Sequence, residues 1–233
     1  MYMDAICKAA LLQKAAELDE GELALINAQA LRSLTAEEVF TFRLAACDTR
    51  PDRDNERFSR KALEGLAARF VGRPVLRDHQ WSAGTQTARI YAAEVEPQGE
   101  DARLVLRAYM PRTEATADTI AAIEAGILRE ASVGCLMGKA VCSICGTDKA
   151  ERRCEHVPGR AYDGKTCMVE LDEARDAFEC SLVAVPSQPG AGVVKSYGGE
   201  DGPDPAEDGG DEAFLLARAM QEQEKLRYGG CEG

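Results

Sequence analysis

Four metal donors stand within fifteen residues of this chain: Cys142, Cys145, Cys154 and His156, in the run CSICGTDKAERRCEH. A Cys-x-x-Cys turn lets two thiolates chelate one ion, and Gly146 permits the tight turn that follows. Zinc accepts such a set tetrahedrally. Four protein ligands leave no open coordination position, so the expected Zn2+ is structural rather than catalytic. Cys167 is a nearby fifth donor that could take the place of His156, and an iron–sulfur cluster suits the histidine less well. The plain alternative is a group of buried thiols, since cysteine is a common core residue.

The chain holds two histidines, His79 and His156. If His156 goes to metal, His79 is the one imidazole left to activate a nucleophile. The candidate nucleophile is Ser132 in ASVGC. On a strand, Ser132, Gly134 and Leu136 share one face, and Gly134 would let a substrate backbone approach closely. This is not the G-x-S-x-G elbow, because Glu130 occupies the first glycine position. Glu179 in FECSLVAVP is a lone acid in an apolar strand and must find a partner or be costly. It shares a face with Ser181 and Val183, so it could orient an imidazole on a neighbouring strand. Taken singly, each has a bland reading: a hydrogen-bonded strand serine, a capping histidine, an acid facing water.

The elements that must carry these residues are mostly strands. Val39–Asp48, Pro74–His79, Thr87–Val95, Leu104–Met110, the Ser132 segment and Ala177–Val185 all read as strands. Ser59 is placed to cap a helix that Gly72 stops, and Thr116 to cap one that Gly126 closes. Residues 4 to 31 have helical periodicity, broken at Gly21. The expected fold is mainly β with flanking helices (α+β), a small barrel or sandwich core. The expected division is a helical arm over 1–35, a core domain over 36–197 with a zinc loop at about 139–167, an acidic disordered linker over 198–212, and a short helix and tail over 213–233.

Lys and Arg number 28 against 40 Asp and Glu, a net charge of −12. That balance opposes nucleic acid as a partner, since phosphate binding rests on cationic contacts. Seven acids and no base lie between Gly198 and Glu212, so much of the charge belongs to the linker, whose Gly, Pro and acid content predicts disorder. No stretch approaches the ~20 apolar residues of a membrane span, and the N-terminus lacks the features of a signal peptide. Nine cysteines without an export signal suggest a reducing compartment, where clustered thiols bind metal more often than they form disulfides.

The succession PVLRDH, then a helix running into REASVGC, then FECSLVAVPSQPGAGV resembles the prohead (capsid maturation) serine protease family of tailed phages. The similarity spans roughly residues 39 to 196, and the Cys/His loop with GRAYDGKTC looks like an insertion found in some members. The resemblance implies a fold related to the herpesvirus assemblin β-barrel and a serine endopeptidase acting on capsid or scaffold proteins, and on itself, inside an assembling prohead in the host cytoplasm. It implies His79 as base, Ser132 as nucleophile and Glu179 in the role of assemblin's second histidine. A homo-oligomer is also expected. The competing expectation is a catalytically inactive, zinc-stapled assembly or scaffolding protein.

Overall fold

The computed structural model describes residues 18–185, 188 and 191–196, with the side chains of 194–196 left aside. The expected linker and terminal helix, and the first part of the N-terminal arm, lie outside these residues. Ten strands and three helices follow in order. They are α1 (Glu20–Asn27), β1 (Val39–Asp48), β2 (Glu56–Phe58), α2 (Arg60–Phe70), β3 (Pro74–Arg77), β4 (Ala88–Gln98), β5 (Asp101–Pro111) and α3 (Glu114–Glu124). After these come β6 (Ala131–Cys142), β7 (Ala161–Tyr162), β8 (Lys165–Thr166), β9 (Val169–Leu182) and β10 (Gly192–Ser196).

The chain is thus mainly β with a few helices, as its strand-forming runs predict. One sheet runs β10-β1-β5-β4-β3-β9-β2, with β6 joined to β9. The expected barrel is not closed. A single antiparallel bridge, Glu130 to Gly192, touches the start of β6 to β10. Beyond that bridge the first half of β6 has a strand partner on one side only among the described residues. β9 is the organising strand. Its 14 residues pair antiparallel with β6 along one edge, while β2 and β3 lie parallel to it on the other. β9 therefore starts eight residues before the expected Ala177, because the chain leaving the Cys/His loop pairs at once, and a further strand, β10, follows it.

The core fills one face of this sheet. Leu63, Leu66 and Phe70 of α2 meet Phe40, Phe42 and Leu44 of β1, Leu104 and Leu106 of β5, and Ala177 and Cys180 of β9. Ser59 caps α2 by accepting the Ala62 amide at 3.0 Å, as its position predicts. On the opposite face, α1 sets Ile26 against Val39, Tyr91 and Tyr109. Glu22 is buried there with the Tyr91 hydroxyl at 3.1 Å and Arg107 at 2.8 Å. α1 begins at Glu20, capped by Asp19, so Gly21 lies in its first turn, and most of the segment on the other side of the expected break falls outside the described residues. The cap of α3 lies three residues before the expected Thr116: Thr113 takes that position and Thr116 answers it by accepting the Thr113 amide at 2.9 Å.

Leu66 is fully buried where α2 meets the sheet. Leu66→Ala is expected to cost ~2–5 kcal/mol through lost transfer energy and the cavity left behind. Urea denaturation, read as a shift of midpoint at constant m, checks this.

Candidate active site and metal centre

β3 stops at Arg77, two residues short of the expected strand end. Asp78 and His79 both adopt left-handed backbone, φ 54° and 53°. This is uncommon for residues with a side chain and rarer in succession. Three hydrogen bonds hold the turn. The Asp78 amide donates to the Leu182 carbonyl at 3.0 Å, the Gln80 amide to Arg77 at 3.0 Å, and the His79 amide to Ser181 Oγ at 3.1 Å. The turn folds His79 back over β9 instead of letting it run on along the sheet.

There His79 Nδ1 meets Glu179 Oε1 at 2.8 Å. The other carboxylate oxygen accepts the Ser181 hydroxyl at 2.5 Å. Glu179 is 2% exposed and Ser181 fully buried, which excludes the reading of Glu179 as an acid facing water. The imidazole, by contrast, is 42% exposed. Its hydrogen bond to Glu179 is the largest cause raising its pKa above the ordinary histidine value; burial opposes that, and the charges of Glu179 and Asp78 add to the rise.

Strand register places the candidate serine on the same face. Ser132 stands directly opposite Ser181, and Gly134 directly opposite Glu179. Directly opposed residues keep their Cβ atoms ~4.5–5.5 Å apart. A bulge follows, since Cys135 pairs with Ala177 and leaves Phe178 as the extra residue. The bulge lets Ala177 and Cys180 both face the core while Glu179 faces away. It also frees Phe178 to meet Trp81, ring centres 5.5 Å apart. The fold thus gathers His79, Ser132 and Glu179 at neighbouring positions on β3's end, β6 and β9. Among the described residues, however, no hydrogen bond joins Ser132 to His79.

Gly134 has a different reason from the one its sequence context suggests. A Cβ built there would lie 2.3 Å from Glu179 Oε1 and 3.2 Å from Cδ. The space above it is taken by the buried carboxylate, not left open for a substrate backbone. Sequence reasoning did not use Ser181, which orders both His79 and Glu179. Its signal was the Glu-x-Ser spacing, which puts the hydroxyl on the carboxylate's face of the strand.

The second constellation forms where β6 ends. Cys142, Cys145, Cys154 and His156 bring one donor atom each to within 4.8 Å of one another. Cys145 Sγ lies 3.4 Å from Cys154 Sγ, and Cys154 Sγ lies 3.4 Å from His156 Nδ1. Bonds of ~2.3 Å to sulfur and ~2.0–2.1 Å to nitrogen put tetrahedral ligands ~3.3–3.8 Å apart, so these two separations suit a shared ion. The Gly146 amide closes the Cys-x-x-Cys turn on the Cys142 carbonyl at 2.9 Å, with Gly146 at φ 72°. Burial resists ionisation of Cys142, but the amides of Cys145 and Ile144 and the neighbouring thiols bring it down to about 6. The His156 ring packs edge-on against Tyr162 of the small β7–β8 hairpin, centres 4.6 Å apart. Cys167 is fully buried with its sulfur 3.8 Å from that of Cys142, but it stands outside the mutually close set of four.

No protein-family model, curated protein or solved structure matches this chain. Among the described residues, no helix is long and apolar enough to cross a membrane.

Gly134→Ala is expected to destabilise the protein by ~1–3 kcal/mol, the usual cost of overpacking. The added methyl must displace a carboxylate pinned between His79 and Ser181. Chemical denaturation measures the loss, and NMR titration of His79 is expected to show its pKa falling back as the Glu179 bond is disturbed.

Proposed function

We propose that this protein is a serine endopeptidase of the prohead protease type, with an assemblin-like fold and a structural zinc. The observation that carries the reading is the His79–Glu179–Ser181 hydrogen-bond network, held by a strained turn on the sheet face that also bears Ser132. Backbone strain of this kind is maintained only where surrounding structure over-determines it, and it clusters at functional sites. An ionised Glu179 accepting from Nδ1–H fixes the tautomer whose Nε2 carries the free lone pair. That nitrogen would take the proton as Ser132 Oγ attacks a peptide carbonyl, and would return it to the leaving amine. Glu179 would hold the ring and stabilise the imidazolium. Ser181 would keep the carboxylate in place.

Capsid or scaffold protein would be the substrate, together with the chain itself, inside the assembling prohead and within a homo-oligomer. Zn2+ on Cys142, Cys145, Cys154 and His156 would pin the loop between β6 and β9, so that the two strands bearing Ser132 and Glu179 enter the sheet from one fixed end. A catalytically inactive assembly protein is the second reading. The lack of a direct Ser132–His79 bond favours it, although catalytic hydrogen bonds often tighten only with substrate bound.

Ser132→Ala is expected to abolish processing of co-expressed capsid protein while leaving the thermal midpoint essentially unchanged. Cleavage at the wild-type rate in that variant would leave the assembly reading standing. The base must be neutral to act, and its pKa is raised, so kcat/KM is expected to rise with pH through a point above the ordinary ~6.5. In Glu179→Gln that point should drop, because the partner that favours the charged imidazole is gone.

Elemental analysis is expected to find one zinc per chain, lost in Cys142→Ser and His156→Ala but kept in Cys167→Ser. Chelation should lower stability, because in such sites the free energy of metal binding is folding free energy.

A further inference from the structure

A cavity of about 270 Å³ lies beside β6, its lining including Ala191, which meets the side of β6 not paired with β9. Five consecutive β6 residues, Ala131 to Cys135, line it, which places it against the strand's backbone edge as much as against its side chains. The Ala131 amide points to this side, since it donates to the Ala191 carbonyl at 3.2 Å. By strand alternation the Val133 amide and carbonyl project the same way, and no strand pairs with them among the described residues. The facing wall comes from Cys47 at the end of β1, from Asp52 and Glu56 in and after the β1–β2 loop, and from Phe58 and Leu171.

An unpaired strand edge is a template for an extended chain, and edge addition is a recurring mode of peptide recognition. The cavity is smaller than a usual small-molecule site of ~300–1,000 Å³ and matches one long side chain. Its chemistry is split. Phe58, Leu171 and Cys47 are apolar, while Asp52 and Glu56 are two of the three acids that give the lining an excess of negative charge. An aliphatic stem ending in a cation satisfies both parts. Burial, and the nearness of other acids, hold both carboxylates above their ordinary pKa, with Lys149 partly opposing this at Glu56.

We propose that the substrate polypeptide adds as an extra strand to the free edge of β6 beside Ser132, and that a Lys or Arg side chain next to the cleaved bond fills this cavity. The proposal deepens the protease reading and rests on it for the cleavage, but peptide binding tests it separately.

The test uses full-length Ser132→Ala protein, so that peptides are bound and not consumed. The probes are fluorescein-labelled, capped ten-residue peptides of Val, Thr and Ser with one central Lys, Ala or Glu. Fluorescence anisotropy is expected to show the Lys peptide binding at least tenfold more tightly than the Glu peptide, with the preference weakening as salt is raised. Asp52→Asn with Glu56→Gln should erase the preference while leaving binding of the Ala peptide unchanged. N-methylation of alternate peptide amides should abolish binding, a readout that leaves the protein's fold untouched. No binding of the Lys peptide, equal binding of the Lys and Glu peptides, a preference that survives the double substitution, or tolerance of N-methylation would each overturn the proposal. If wild type binds with the expected preference but cleaves neither the Lys peptide nor capsid protein, the docking edge stands and the hydrolytic reading falls.

Discussion

A carboxylate with almost none of its surface in water, set between an imidazole and a hydroxyl, governs the arrangement around β9. Burying an acid in an apolar strand is unfavourable unless its oxygens are satisfied, and here both are. His79 takes Oε1 and Ser181 takes Oε2. Each partner imposes a further condition. To reach Oε1 the chain must turn back after β3 with two residues in left-handed backbone. To leave room for the carboxylate, the residue opposite must lack a side chain, and it is Gly134. One buried charge thus accounts for a strained turn, a glycine and a serine on three separate segments.

The same strand connects the site to the Cys/His cluster. β6 carries Ser132 near its start and ends in Cys142, while β9 begins at Val169, opposite Cys142, and carries Glu179 near its end. A metal on the loop between them would fix the register of the pair from the far end. Slipping that register by one residue would turn Ser132 away from Glu179 and His79. The metal donors and the candidate triad are therefore two ends of one antiparallel ladder, which gives a structural ion a direct bearing on the geometry of the face.

Much of the framework was legible in the residues. β1 is the run VFTFRLAACD with the bounds its strand formers predict, and Ser59 caps α2 as its place before an amphipathic run requires. The Cys-x-x-Cys turn with two further donors converges, because ligands so close in sequence need little tertiary help to meet. Where local signals compete, reading failed. Thr113 and Thr116 are both capping residues, and only the path of the chain out of β5 selects the first. An open sheet and a barrel share the same strands. Whether the sheet closes depends on the contact between β6 and β10, which amounts to one bridge.

By itself the sequence determined residue chemistry and local period: where most of the long strands lie, which thiols stand close enough to share an ion, and that Glu179 and Ser181 belong on one strand face. Only the tertiary structure decided which faces meet. The bulge at Phe178 cannot be read from alternation, because it is an interruption of alternation, yet it keeps Ala177 in the core together with Cys180 while Glu179 between them faces away. The turn at Asp78 and His79 is equally silent in sequence. Neither residue is a glycine, and their left-handed backbone is held by Leu182 and Ser181, about a hundred residues further along the chain. Long-range hydrogen bonds outweigh local backbone preference there, and that is why the site's residues could be named before their arrangement was known.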